Sequence, residues 1–133
     1  MDWTDLLNRN NQTFWGFLGM ELLHADAARV ELGLEVKEHH LNSKGIVHGG
    51  VLSSLMDQAM GVLVSAARNG VEGVTTHLNV NFVTAMGTGR LVASAYPVHE
   101  TYRTMTMRAE IRNEQGELGC VATATFRLPK QQA

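Results

Sequence analysis

The chain has 133 residues, 44% hydrophobic and 18% charged, a composition that describes one globular domain with room for a real core. With 11 Lys and Arg against 13 Asp and Glu, the formal net charge is −2 and no basic run offsets it, which argues against a nucleic-acid binder. The single cysteine, Cys120, excludes a disulfide framework, and no apolar run reaches the roughly 20 residues of a membrane span.

Asp2 to Arg9 reads as a short amphipathic helix with Trp3, Leu6 and Leu7 on one side, broken by Asn10-Asn11. Asp2 and Asp5 stand where a signal peptide carries its basic segment, so the expected location is cytoplasmic, without membrane contact. Phe14, Trp15, Phe17 and Leu18 form an aromatic patch before Gly19 that suits either core packing or a pocket wall. From Met20 to Lys37 the pattern is that of strands, with Val30, Leu32, Leu34 and Val36 alternating against Glu31, Gly33 and Glu35, and a reversal at Asp26-Ala27. His39 to Gly50 is a loop by composition.

The next segment predicts a helix over about 51–68, stopped at Asn69-Gly70. Its apolar residues cover more than one stripe, so other structure should wrap it. Ser54, Asp57, Gly61 and Ser65 leave one thin polar stripe at spacings of three and four. Four strand patterns follow: Val74 to Val83, Leu91 to His99, Thr104 to Arg112 and Leu118 to Arg127. In the first, Val74, Thr76, Leu78, Val80 and Phe82 oppose Thr75, His77, Asn79 and Asn81. Gly87-Thr88-Gly89 and Asn113-Glu114-Gln115-Gly116 read as hairpin turns, and Pro97 marks a bulge or an edge. A helix followed by an antiparallel meander is an α+β architecture. One helix covers one face of such a sheet, so pairing with a second copy is expected.

The stretch Asn42-Ser43-Lys44-Gly45-Ile46-Val47-His48-Gly49-Gly50 opens the helix with small residues, and such a turn presents unpaired backbone N–H groups able to polarise a carbonyl oxygen. Asp57 is a lone carboxylate in an apolar helix, costly to bury without a partner or a chemical task. Together they offer an oxyanion site and a base or nucleophile, the parts that acyl transfer needs. Asp57 lies seven residues beyond Gly50, roughly 10 Å along the helix axis. The acid of one protomer should therefore meet the oxyanion donors of another.

Asn42-x-x-Gly45-x-x-His48-Gly49-Gly50 followed by Asp57, in this order of elements, resembles the hotdog-fold acyl-CoA thioesterases, and among them the phenylacetate-degradation (PaaI-like) type. The resemblance spans about residues 15–128. It implies a long central helix wrapped by a curved antiparallel sheet of five to six strands, in one domain over 1–133. It also implies homodimers with composite sites that pair into homotetramers. The implied reaction is hydrolysis of an aromatic (phenylacetyl- or hydroxybenzoyl-like) or medium-chain acyl-CoA to free acid and CoA. No cofactor is implied, since coenzyme A is part of the substrate. By the same resemblance Asp57 is general base or nucleophile. The Gly49 N–H polarises the thioester carbonyl with help from Asn42, Thr75 orients the acid or its water, and His48, the motif histidine, plays a supporting part in catalysis. Gly50, Arg90 and Arg103 are the candidates for holding substrate, the arginines through CoA phosphates.

Competing readings are weaker on particular grounds. His48-Gly49-Gly50 suggests a lipase oxyanion loop, but no G-x-S-x-G string occurs. Gly87-Thr88-Gly89 lacks the third glycine and the helix of a nucleotide-binding turn. His39-His40 lacks metal-ligand spacing, so no metal is expected. A hotdog dehydratase would want an acid and a histidine poised on one β-hydroxyacyl chain, and a non-catalytic acyl-CoA binding or sensing protein would not need Asp57.

Overall fold

The computed structural model describes residues 2–130. Its central element is the helix α3, Gly49–Ala67, begun when the His48 side chain caps the first turn by accepting from the Gly50 N–H at 2.8 Å. It ends where Asn69 and Gly70 take left-handed backbone conformations, at φ 49° and 91°, and the Gly70 N–H reaches back to the Ser65 carbonyl. Its buried residues include Val51, Leu55, Met56, Ala59, Met60 and Leu63, which span nearly its whole circumference. By length and composition this helix could cross a membrane, yet 56% of its apolar window is buried inside the protein. It is the core helix.

Around it curves a six-stranded sheet built from β1 (Met20–Ala25), β2 (Val30–Glu35), β3 (Val74–Phe82), β4 (Arg90–Glu100), β5 (Thr104–Arg112) and β6 (Leu118–Arg127). The strand order is β1-β2-β4-β5-β6-β3 and every pairing is antiparallel. This is the hotdog arrangement that the sequence resemblance implies.

Two expectations change. The strands after the helix do not form one meander: β3 pairs with β6 at an edge, and β4 lies between β2 and β5. Gly87-Thr88-Gly89 is therefore part of a crossover connection and not a hairpin turn. Alternating patterns fix which face of a strand is buried but carry no address for its neighbour. The first helix, α1, runs Trp3–Asn11, through Asn10-Asn11, because the Gln12 N–H caps it on the Arg9 and Asn10 carbonyls. Asparagine is a mediocre helix former, but in a last turn its small penalty is easily overridden.

The aromatic patch forms a short helix, α2, Phe14–Leu18, which buries Trp15 and Leu18 and leaves Phe14 and Phe17 exposed. A side chain at Gly16 would collide with the Asn11 carbonyl, its Cβ falling 1.9 Å from that oxygen. That glycine permits α1 and α2 to fold tightly on each other. The expected irregularity at Pro97 is present, as a register shift between Pro97 and His99.

The core is rich in methionine, with Met56, Met60, Met86, Met105 and Met107 fully buried; their flexible thioethers fill the space between helix and sheet. Cys120 lies among them, its Sγ 3.8 Å from the Met56 Sδ, and burial pushes its thiol pKa up to about 11.

Candidate active site

The polar stripe on α3 divides into residues that satisfy themselves locally and one that does not. Ser54 donates to the Gly50 carbonyl at 2.7 Å, and Ser65 donates to the Val71 carbonyl at 3.0 Å. Asp57 instead reaches another element: the Thr75 hydroxyl donates to its Oδ1 at 2.7 Å. Both residues are half-buried. Its Oδ2 has no partner among the described residues.

Thr75 reaches Asp57 because β3 carries a bulge. Its register against β6 shifts between Thr75 and His77, so Thr75 sits opposite Phe126 while Leu78 and Val80 sit opposite Ala124 and Ala122. The extra residue, Thr76, changes the phase of the strand and turns Thr75 to the core side. Strict alternation places Thr75 on the other side, with His77.

Asp57 and Thr75 line a cavity of about 240 Å³, walled by Gly61, Val62 and Phe126 and overlain by α1. A Cβ at Gly61 would lie 3.4 Å from the Phe126 ring, in ordinary contact with it. The α1 residues Leu6, Arg9 and Asn10, with Gln58 and Glu72, complete the lining. None of these five was a site candidate in the sequence; for the α1 residues, an amphipathic helix shows which face it buries and not what it covers.

The loop before α3 is held by its own backbone. Leu41 and Val47 form an isolated bridge, and the Asn42 N–H donates to the Ile46 carbonyl at 2.8 Å. The Asn42 Oδ1 accepts from the Lys44 N–H at 2.9 Å, which leaves its NH₂ as the free end. Gly45 takes φ 78°, a left-handed turn position suited to glycine.

Of the first four N–H groups of α3, that of Gly50 is taken by the His48 Nδ1, and those of Val51 and Leu52 go to the His48 carbonyl. The Gly49 N–H has no acceptor among the described residues. A Cβ there would sit 3.1 Å from the Phe82 ring, a contact tight enough that the ring would have to shift. Asn42, Gly49, Leu52, Phe82 and Met86 line a second, apolar cavity of about 260 Å³.

Asp57 and Gly49 stand eight residues apart on one helix, about 12 Å along the axis. No residue lines both cavities. The structure thus brings together Asp57 with Thr75, and Asn42 with Gly49 and its capping His48, as two half-sites.

The two arginines differ. Arg90 faces away from the buried Leu91, pairs with Glu21 at 3.3 Å and lies across Gly33, lining neither cavity. Arg103 donates its Nε to the Leu128 carbonyl at 2.8 Å and lines a groove of about 360 Å³ with Arg127 and Val74. Glu72 lines both that groove and the Asp57 cavity, so the two adjoin. Among the described residues no three His, Cys, Asp or Glu side chains converge as a metal site would require.

Similarity to known proteins shows the family and the fold. The thioesterase superfamily matches residues 44–120, more than half the chain and the segment with both half-sites except Asn42. A Deinococcus radiodurans protein bearing an esterase name is 32% identical over 118 residues, covering 87% of this chain and 79% of its own. A thioesterase from Streptococcus pneumoniae TIGR4, solved with coenzyme A, is 30% identical with a TM-score of 0.80, covering 88% and 94% of the two chains. A mutant of the phenylacetic acid degradation protein PaaI from Thermus thermophilus is 31% identical with a TM-score of 0.78, covering 86% and 96%.

Proposed function

The chain belongs to the thioesterase superfamily, and on that premise we propose that it hydrolyses acyl-CoA thioesters at sites shared between two subunits. The observation that carries the reading is the Asp57 carboxylate, held on one oxygen by Thr75 and open on the other toward a cavity. The acyl-CoA class is supported by the coenzyme A bound to the Streptococcus pneumoniae relative, and an aromatic acyl group by the phenylacetic acid role of the Thermus protein.

The edge strand β3 explains how the half-sites would meet. Thr75, near its start, touches Asp57, and Phe82, at its end, packs on Gly49. Val74, Phe82 and the following Val83 are 70%, 57% and 57% exposed, large apolar side chains along an edge with no neighbour among the described residues. Antiparallel pairing of β3 with its copy sets the start of one strand against the end of the other. Asp57 then faces Gly49 of the partner subunit. A second pairing of such dimers would give the homotetramer.

In this assembly the thioester carbonyl oxygen accepts from the N–H of the partner's Gly49, with the amide of the partner's Asn42 beside it. Asp57 removes a proton from water as the water oxygen bonds to the carbonyl carbon, and the tetrahedral oxyanion forms where those donors point. Its collapse breaks the C–S bond, and the thiolate of CoA takes the proton from Asp57. In the nucleophilic variant the free Oδ2 attacks first, CoA leaves, and water hydrolyses the anhydride. In single turnover in ¹⁸O-water, label in Asp57 identifies the second route, where water attacks the Asp57 carbonyl of the anhydride. A thiolate is a stable leaving group, so one acid and one oxyanion site suffice. Arg103, beside the cavity, is the candidate for a CoA phosphate. Arg90, which pairs with Glu21 and lines neither cavity, is the weaker candidate.

The deciding experiment is thiol release from a panel of acyl-CoA thioesters by wild type and Asp57→Ala. The expected outcome is turnover in wild type and a fall of about 10²–10⁴-fold in the variant. Undiminished hydrolysis by Asp57→Ala would remove its assigned role. Binding without turnover by wild type would make the protein an acyl-CoA sensor.

A further inference from the structure

The geometry points to α1 as the selectivity wall of this site, with the side-chain amides of Asn10 and Gln58 receiving a hydrogen-bonding substituent on the acyl group. The inference rests on the reading of Asp57 as the hydrolytic acid. Leu6 is buried to 9% exposure yet stands outside the contiguous core; what it covers is the Asp57 cavity. Asn10, in the last turn of α1, and Gln58, the neighbour of Asp57 on α3, are half-buried in the same lining. Neither side-chain amide has a hydrogen-bond partner among the described residues. Two amides without a protein partner thus stand beside the Asp57 carboxylate, open to water or to a ligand.

The wall is also anchored. Arg9 pairs with Glu72 at 3.0 Å on the other side of the cavity and with Asp5 at 3.2 Å on its own helix. The tight approach of Gly16 to Asn11 fixes the far end of α1. The Phe126 ring lines the same cavity, as do Gly61 and Val62, one turn along α3 from Gln58. The space, about 240 Å³, exceeds the roughly 150 Å³ that holds a benzene molecule.

A ring can lie against Phe126 with its far edge toward the amides. An acyl group that ends in a hydroxyl pairs with them, while one ending in carbon strips their water and returns nothing. Discrimination by hydrogen bonding exceeds what apolar walls achieve, because the mismatched ligand leaves polar groups unpaired.

The test compares kcat/KM for 4-hydroxybenzoyl-CoA and benzoyl-CoA in wild type, Asn10→Leu and Gln58→Leu. Wild type is expected to favour the hydroxylated probe by about tenfold, the worth of one or two neutral hydrogen bonds. Each leucine, similar in size to the amide it replaces, should pull that ratio toward one. A merely structural role would lower both rates together and leave the ratio in place. Leu6→Ala, which thins the wall, should raise the relative rate on the bulkier 1-naphthoyl-CoA. Equal wild-type rates on the first pair, a ratio unmoved in both leucine variants, or turnover of other thioesters but of neither probe would overturn the inference and leave the hydrolase reading standing. No turnover of any acyl-CoA would overturn both.

Discussion

At its first turn α3 faces its surroundings through backbone, with one open N–H under the Phe82 ring in an apolar cavity. Two turns later it does so through a side chain, the Asp57 carboxylate, in a cavity lined mostly by polar residues. On the proposed function the first half-site depends on what is missing, a side chain at Gly49 that would crowd the Phe82 ring beside the open N–H. The second depends on what is supplied, a charge steered by one hydroxyl. An oxyanion needs fixed dipoles in dry surroundings, whereas a base or nucleophile needs a labile proton or a free lone pair. On the proposed function, separating these demands along one helix would leave each half-site inert alone.

The sharpest way to break this contrast is to disable the halves on different subunits. Gly49→Val puts a branched side chain into the Phe82 ring, and Asp57→Ala removes the acid. Each variant alone is expected to lose about 10²-fold or more in kcat. Random mixtures should recover about a quarter of wild-type activity, because half of the dimers are mixed and each of those carries one intact site of two. Thiol-release rates before and after remixing check it, and failure to recover would place both halves in one subunit.

Next in size is the Thr75 hydroxyl. Thr75→Val keeps the shape but removes a hydrogen bond to a charged group, worth about 1.5–3 kcal/mol, so kcat should fall about 10- to 100-fold. Thr75→Ser should restore most of it, whereas a requirement for the strand-forming branch alone would make serine the poorer variant. A smaller effect is expected at Arg103. Arg103→Ala should raise KM for acyl-CoA several-fold, in the range of an exposed charge pair of about 1 kcal/mol, with kcat held. The change should shrink as salt rises.

The smallest effect separates the two ends by pH. His40 is buried to 1% exposure near the Gly49 end, its Nδ1 accepting from the Lys37 N–H and its Nε2 donating to the Leu18 carbonyl. Its own carbonyl accepts from the His48 N–H. Desolvation, then the charges of His39 and Lys37, outweigh the Leu18 bond and hold its pKa below the ordinary histidine range. Because the folded value lies below the unfolded one, its contribution is fully present above about pH 6.5 and lost as pH falls through the folded value. Wild-type Tm should decline below that pH, and the decline should flatten in His40→Gln. An identical slope in the variant would assign acid sensitivity elsewhere.

What could be read in the sequence follows the same divide. Helix α3, the small-residue turn and the isolated Asp57 were legible because each is a local pattern: a period, a spacing, a lone charge in an apolar run. The place of β3 beside β6 was not, since strand pairing is non-local. Thr75 is the instructive case. Alternation assigned it outward with His77, and only family resemblance tied it to Asp57; one extra residue, Thr76, reverses the phase that alternation assumes. The role of α1 was hidden for another reason. Leu6, Arg9 and Asn10 look like any amphipathic end, and their meaning comes from the cavity beneath them.

Cys120 carries a practical consequence. The only sulfhydryl of the chain is closed off between helix and sheet and stays protonated at neutral pH, so it should be silent toward disulfide and alkylating reagents while the fold holds. Reagents that count released coenzyme A should then run against a flat baseline. Any slow labelling of the protein itself would time the moments when β6 lifts from the helix.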